Sequence, residues 1–249
     1  MVFGIGLHVI VAIFFAIHAM RSGQQMYWLM ILFAFPLLGS IVYFFAIYLP
    51  DSRLQHGARK AVAAVGRALD PTRELREARE AFNFTPTAQN QMRLAAALLE
   101  AGDAKEAAAN YEACLRGPFA SDLEIKYAAS RAFVESGEPQ RAIAHLREVR
   151  AADANFRGEQ ISLLLARALA AAGQQPQAGE EFAAAEARFG SFEAKAEYAM
   201  WALASGDKPL AERLLTELDD ISKRWSNATR ELQMPLMRRL QAARSAAGR

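Results

Sequence analysis

The chain has 249 residues, and its 29 Lys and Arg nearly balance its 27 Asp and Glu. This balance argues against a dedicated nucleic-acid binder, which carries a basic excess on one face, and the single cysteine, Cys114, excludes an intramolecular disulfide. Apolar residues make up 53% of the chain, and the excess lies in residues 1–50, where Arg21 is the one charged side chain. The alanine-rich remainder has few β-branched residues, a composition typical of an all-helical domain.

Two apolar runs open the sequence, residues 2–20 and residues 26–49, with a short polar break between them. A helix of about 20 residues crosses the hydrocarbon core of a bilayer, so each run is long enough to span it. A spanning segment of this kind must satisfy its backbone as a helix. The sequence therefore predicts a transmembrane helical hairpin over residues 1–50.

Basic side chains near the ends of the two runs predict the orientation of this hairpin. Arg21 lies in the loop, whereas four basic residues follow the second run, namely Arg53, Arg59, Lys60 and Arg67. Basic residues favour the cytoplasmic side of a membrane. We therefore expect an inner (cytoplasmic) membrane protein with two spans, whose N-terminus and following domain are cytoplasmic.

Five residues of the apolar segment stand in the pattern R-x6-W-x7-P-x2-G-x3-Y, namely Arg21, Trp28, Pro36, Gly39 and Tyr43. The pattern resembles the N-terminal membrane hairpin of cardiolipin synthases and related phospholipase D-nuclease proteins. The catalytic part of those enzymes carries a repeated His-x-Lys-x4-Asp motif, and none of the four histidines here has a lysine two residues on. The resemblance therefore implies a shared membrane anchor without lipid synthesis.

Residues 51–84 predict a helical linker and an N-terminal cap for the domain that follows. Residues 54–69 carry an apolar stripe with basic side chains elsewhere, which suits either a helix on a membrane surface or a simple linker. Pro71 ends this helix. A second helix over residues 72–83 completes the cap and presents three apolar side chains to the repeats, Leu75, Ala78 and Phe82.

Residues 85–218 repeat one pattern four times. Glycines mark it at spacings of 35, 36 and 33 residues: Gly102, Gly137, Gly173 and Gly206. After each glycine come an alanine, a large apolar residue and a small or apolar residue: Ala107/Tyr111/Cys114, Ala142/Leu146/Val149, Ala178/Phe182/Ala185 and Ala211/Leu215/Leu218. We expect each unit to be two antiparallel helices joined by a tight turn, in which glycine ends the first helix.

This spacing resembles the tetratricopeptide repeat (TPR), whose units stack because one unit cannot bury its apolar face alone. The repeats are divergent, since the early positions that are usually bulky and aromatic hold Gln91, Lys126, Ser162 and Lys195. The predicted fold class is therefore all-α, with an N-terminal transmembrane hairpin followed by a TPR-like α-solenoid of four divergent hairpins.

Residues 219–249 predict a C-terminal capping helix that ends in a basic tail. We expect Trp225, Leu232 and Leu240 to face inward. Pro235 should kink or split this helix, because proline cannot donate the backbone hydrogen bond of a helix interior.

No catalytic constellation accompanies these elements. The sequence lacks paired cysteines, a metal-binding His-Glu-x-x-His pattern, a phosphate-binding glycine loop and a nucleophile elbow. Its four histidines are scattered and suggest no metal-ligand cluster. We therefore predict a protein that is not an enzyme and that uses no cofactor or metal.

The first helices of the repeats supply the predicted partner-binding groove, where the TPR resemblance implies an extended or helical peptide. Counting 13, 10 and 6 residues back from each glycine gives its lining: Gln89, Met92, Ala96, Glu124, Tyr127, Arg131, Gln160, Leu163, Arg167, Glu193, Ala196 and Met200. Six of these are the predicted contacts: Met92, Tyr127, Arg131, Gln160, Arg167 and Met200. Met92 and Ala96 stand where chaperone-binding relatives begin their carboxylate clamp, which argues against a chaperone-tail receptor.

Arg131 and Arg167 occupy equivalent places in adjacent units, with Tyr127 close by. Two guanidinium groups beside an aromatic ring suit an acidic or phosphate-bearing segment. The alternative is that both arginines are solvated and pair with neighbouring glutamates.

The sequence thus predicts a membrane-anchored adaptor, whose cytoplasmic TPR array binds a protein partner and recruits it to a membrane complex. Two alternatives stay open. One is a structural or regulatory subunit that acts through the hairpin itself, and the other is an accessory role in membrane lipid metabolism. The open ends of a solenoid also allow a homo-oligomer.

Overall fold

The computed structural model describes residues 3–21, 27–43 and 72–248, and all regular structure in these ranges is α-helical. It divides the chain into two compact units, Met1–Pro71 and Thr72–Arg249. The all-α prediction is confirmed. The helix predicted for residues 54–69 lies outside the described residues, as do both ends of the second apolar run.

Three helices form the described part of the first unit: α1 (Phe3–Arg21), α2 (Tyr27–Ala34) and α3 (Pro36–Tyr43). Their contact is aromatic. The buried ring of Tyr43 lies 5.5 Å from the ring of Phe15 and 5.5 Å from that of Trp28. A hydrogen bond of 3.0 Å joins Nδ1 of His18 to the Tyr43 hydroxyl. Side chains from all three helices thus meet around one tyrosine.

The prediction of a two-span membrane hairpin is contradicted by these helices. Within residues 3–21, 27–43 and 72–248, no helix combines the length and the apolar character needed to cross a bilayer. The second apolar run is not one continuous helix. Its first helix ends at Ala34 and a new one begins at Pro36, which has no N–H to continue the helical hydrogen bonds.

Within the described residues, α2 and α3 have 8 residues each, whereas a spanning helix needs about 20. The inner-membrane localisation and the cytoplasmic orientation were derived from spans of full length. Both predictions are therefore wrong.

The five residues of the R-x6-W-x7-P-x2-G-x3-Y pattern have different surroundings in this unit. Arg21 is exposed at the C-terminal end of α1, and Pro36 begins α3. Trp28 meets Tyr43 edge to face. Gly39 permits a close approach of two helices, since a Cβ there would lie 2.7 Å from a carbonyl oxygen of α2. Local packing thus explains Trp28, Gly39 and Tyr43 of the pattern.

The described part of the second unit begins with α4 (Arg73–Phe84) and continues as four helical hairpins. These are α5 (Ala88–Glu100) with α6 (Ala104–Cys114), α7 (Leu123–Glu135) with α8 (Pro139–Ala152), α9 (Gly158–Ala171) with α10 (Gln175–Phe189), and α11 (Phe192–Ser205) with α12 (Lys208–Lys223). Each helix from α4 to α12 packs against the next, and α13 (Asn227–Ala247) packs on α11. The prediction of TPR-like repeats is confirmed, while the domain limits drawn at residues 84 and 218 stay predictions.

Each hairpin turns at one of the four predicted glycines. Gly102 and Gly137 have φ angles of 88° and 81°, in the left-handed region that a side chain disfavours. The backbone N–H of Asp103 donates to the carbonyl of Leu98 at 2.9 Å, which closes the end of α5. Conformation rather than space requires glycine, because a Cβ would meet nothing within 4 Å at either position. The predicted role of the glycines is confirmed.

The repeated alanines and large apolar residues form the core of the array. All four alanines are buried, and so are the large residues of the first three units: Tyr111, Leu146 and Phe182. The fourth unit differs, since Leu215 is half-buried and Leu214 is fully buried in its place. Leu214 and Leu218 belong to one apolar cluster with Ala196 and Ala199 of α11 and Leu240 of α13.

The last helix corrects two expectations for the C-terminal segment. α13 is one helix of 21 residues that runs through Pro235, so the proline does not split it. The proline is exposed, and water can bind the carbonyl that it leaves unpaired. Leu232 is 79% exposed and does not face inward. Leu240 is buried as predicted, and Trp225 is half-buried with its ring 4.4 Å from that of Phe192.

Candidate partner-binding groove

The predicted groove positions lie on α5, α7, α9 and α11, the first helices of the four hairpins. These helices lie side by side, since α7 contacts both α5 and α9, and α9 contacts α11. Two of the twelve positions, Leu163 and Ala196, are buried in apolar clusters within the array. All six predicted contact residues reach the surface: Met92, Tyr127, Arg131, Gln160, Arg167 and Met200.

Arg131 and Arg167 differ from most arginines of the repeats. Arg131 is exposed and Arg167 is half-buried, and neither makes a hydrogen bond or an ion pair with any part of the chain that the structure describes. Arg150, by contrast, binds both carboxylate oxygens of Glu181, at 3.0 and 2.5 Å. Neither groove arginine therefore forms an ion pair with a neighbouring glutamate among the described residues, although the charge of Arg167 acts on the Glu193 carboxyl.

Tyr127 lies beside a guanidinium group that the repeat pattern does not reveal. The guanidinium carbon of Arg157 is 5.2 Å from the centre of the Tyr127 ring, and Arg157 also pairs with Glu124 at 2.9 Å. Arg157 has a φ of 45°, a left-handed conformation that costs a residue with a side chain about 1–2 kcal/mol. No sequence signal marks this residue, because it lies in a connection between hairpins, outside the repeated positions.

Acidic side chains collect on α9 and α11, the first helices of the third and fourth hairpins. Burial raises the pKa of the Glu193 carboxyl above its ordinary value, and the nearby carboxylates of Glu159 and Glu197 raise it further. The Glu197 side chain is only 6% exposed, and it pairs with Arg239 of α13 at 2.8 Å. The last helix thus brings a charge to the groove that counting along the repeats cannot predict.

A pocket of about 290 Å³ opens beside α9 and α11. Its charged lining residues are Arg167, Glu197 and Arg239. Its apolar lining residues are Val134, Ala170, Phe182, Met200, Trp201 and Ala204. The structure therefore brings two predicted groove residues, Arg167 and Met200, into one pocket. The other four predicted residues do not line it.

Solved structures of helical repeat proteins are similar in fold to this chain. One is TTC0263 of Thermus thermophilus, a thermophilic TPR protein, with 18% identity and a TM-score of 0.53; the match covers 74% of this chain and 93% of that one. Another is MamA, residue 41 to the end, from Desulfovibrio magneticus RS-1, with 16% identity and a TM-score of 0.53, covering 68% of this chain and 95% of that one. At such identities the likeness shows the fold alone, and this fold is a TPR-like α-solenoid.

No family model matches the chain, and no curated protein matches it either. The comparisons support the TPR part of the predicted resemblance. They give no support to a phospholipase D-type hairpin over residues 1–50.

Proposed function

We propose that this chain is a non-enzymatic protein-interaction scaffold, whose TPR-like array holds an acidic segment of a partner protein along α5, α7, α9 and α11. The observation that carries the proposal is the pair Arg131 and Arg167, which stand at equivalent places of adjacent units and bind no described residue of this chain. The two alternatives linked to the membrane hairpin are not supported, since no described helix is suited to cross a bilayer.

The spacing of the two arginines suits carboxylates on one segment. Neighbouring packed helices lie about 8–10 Å apart. Residues seven apart on a helix share one face at a rise of about 10.5 Å, and residues three apart on a polyproline-type segment share one face at about 9 Å. Either kind of segment can therefore place one carboxylate on each guanidinium group.

The two arginines should contribute unequally. A guanidinium group binds a carboxylate or a phosphate through two parallel hydrogen bonds, which are stronger than neutral ones. Exposed ion pairs contribute only about 0–1 kcal/mol. Because Arg167 is half-buried and Arg131 is exposed, we expect the larger part of the binding free energy to come from Arg167. Met92, Tyr127 and Met200 supply partly buried apolar surface along the same row of helices.

Photo-crosslinking from the full chain tests this function. A photoreactive amino acid replaces Gln160, which is exposed on α9, and the matched control places it at Gln177, which is exposed on α10. We expect a discrete protein to crosslink from Gln160 and not from Gln177. The double substitution Arg131→Glu with Arg167→Glu should abolish that crosslink.

A charge-matched control separates the groove from general electrostatics. Arg147→Glu with Arg224→Glu changes the net charge equally at two exposed arginines outside the groove, and it should leave the crosslink intact. Equal loss in both double variants, or an unchanged crosslink in the groove variant, would contradict the proposal.

A further inference from the structure

The pocket beside α9 and α11 is held open by a fixed aromatic side chain. The indole N–H of Trp201 donates to Oε1 of Gln175 at 2.9 Å, and its ring lies 5.9 Å from that of Tyr198 and 6.0 Å from that of Phe182. Gly179 leaves room for the indole, since a Cβ there would lie 2.7 Å from a ring atom. The wall of the pocket is therefore formed before any partner binds, and preformed apolar pockets are typical sites of tight contact.

One of the charges around this pocket has no ion-pair partner in the described part of the chain, although the nearby carboxyl of Glu193 interacts with it electrostatically. Glu197 and Arg239 neutralise each other through their contact of 2.8 Å. Arg167 lines the same pocket and makes no ion pair within residues 72–248. An occupant that combines an apolar group with a carboxylate would match both the lining and the remaining charge.

The size of the pocket indicates which kind of occupant fits. Pockets for drug-sized ligands enclose most of the ligand, whereas this one, of about 290 Å³, is shallow and largely open to solvent. It suits one or two side chains of a protein segment better than a whole small molecule. The C-terminal helix of this chain is already part of its wall through Arg239, so that helix is not the occupant.

We propose that this pocket takes one bulky apolar side chain of the partner segment, next to a carboxylate that binds Arg167. The proposal rests on the proposed function, because it assumes that the partner is a protein segment. It adds a specificity element, since buried anchor residues carry most of the binding energy at protein interfaces. Acidic segments without such an anchor should bind much more weakly.

A random dodecapeptide library displayed on phage and selected on the immobilised full chain provides the probe. We expect selected peptides to share a large apolar residue within about four positions of an Asp or Glu, because one helical turn spans that distance. A labelled selected peptide then gives Kd values by fluorescence anisotropy. Replacing its apolar residue by alanine should weaken binding about tenfold or more.

Two variants of the chain test the location of the anchor. Ala204 is exposed and lines the pocket, so Ala204→Phe fills the pocket from a position where folding tolerates a larger side chain. Ala184 is equally exposed on α10 and is the matched control. We expect Ala204→Phe to weaken peptide binding about tenfold or more, and Ala184→Phe to leave it unchanged. Circular dichroism should show the same helical content for both variants.

The outcomes separate this inference from the proposed function. If Arg131→Glu with Arg167→Glu abolishes peptide binding while Ala204→Phe does not, the groove function stands and the anchor pocket is wrong. If selected peptides are basic or depend on neither set of residues, both proposals fail. A dimer of the chain that Ala204→Phe dissociates would assign the pocket to a second copy and would also overturn the inference.

Discussion

Removal of the Arg239 guanidinium group tests whether α13 is held in place by a buried charge. The side chain of Glu197 is 6% exposed, whereas that of Arg239 is 51% exposed. Breaking a fully buried ion pair costs about 3–5 kcal/mol, and an exposed pair contributes about 0–1 kcal/mol. Because Arg239→Ala leaves the buried partner uncompensated, we expect a loss of about 2 kcal/mol in the free energy of unfolding, between these limits.

A double-mutant cycle isolates the charge from the packing. Glu197→Gln keeps the shape of the side chain and removes its charge, and a neutral amide costs less to bury than a carboxylate. In the background of Glu197→Gln, the substitution Arg239→Ala should therefore cost less than half of its effect in the unchanged chain. Urea unfolding of the full chain, followed by far-UV circular dichroism, measures these differences.

Amide hydrogen exchange locates the loss, because a terminal helix can open separately from the rest of an array. We expect faster exchange in α13 for Arg239→Ala, and no change for Arg238→Ala, which removes the neighbouring exposed arginine. The reasoning would be refuted if the effects of Glu197→Gln and Arg239→Ala on the free energy of unfolding were additive within about 0.5 kcal/mol. So would equal effects of the Arg239 and Arg238 variants.

Three further predictions follow from single positions. Gly137→Ala should lower the free energy of unfolding by about 1–2 kcal/mol because φ is 81° there, and Gly137→Asn should cost less; thermal unfolding measures both. Gly179→Ala should cost about 1–3 kcal/mol and alter tryptophan fluorescence, since its Cβ would lie 2.7 Å from the Trp201 ring. Burial lowers the pKa of the His145 imidazole below its ordinary value of 6.5. The folded state therefore favours the neutral ring. The resulting contribution to the free energy of unfolding is present above pH 6.5 and is lost as the pH falls below that value. His145→Phe retains a ring against Phe133, where the two rings stack at 5.7 Å, and should flatten the stability profile measured by urea unfolding between about pH 7 and pH 5.

Much of the repeat array could be predicted from the sequence because its signals are local. A glycine in the left-handed conformation ends a helix wherever it stands, so Gly102 and Gly137 mark their turns without reference to the rest of the fold. Each unit has an alanine after its glycine, and all four alanines are buried. The groove positions then follow by counting along a regular helix, which placed Arg131 and Arg167 on the surface of adjacent first helices.

The prediction for the first unit was wrong because apolar content does not report where a helix ends. Residues 26–49 form one long apolar run in the sequence, whereas in the structure one helix ends at Ala34 and the next begins at Pro36. The tyrosine and the glycine of the pattern in this segment are explained by contacts among three packed helices. Their meaning depends on neighbours that the linear pattern does not contain.

The sequence by itself determined the helical class and the hairpin turns, and it predicted the row of groove positions, since each depends on residues within one or two helical turns. Only the tertiary structure decided that Leu163 and Ala196 are buried and that Arg167 lacks an ion-pair partner among the described residues. It also decided that a pocket joins residues as far apart as Val134 and Arg239. The physical reason is that burial and pairing are properties of which helices meet, and α13 meets α11 through contacts that no repeat spacing specifies.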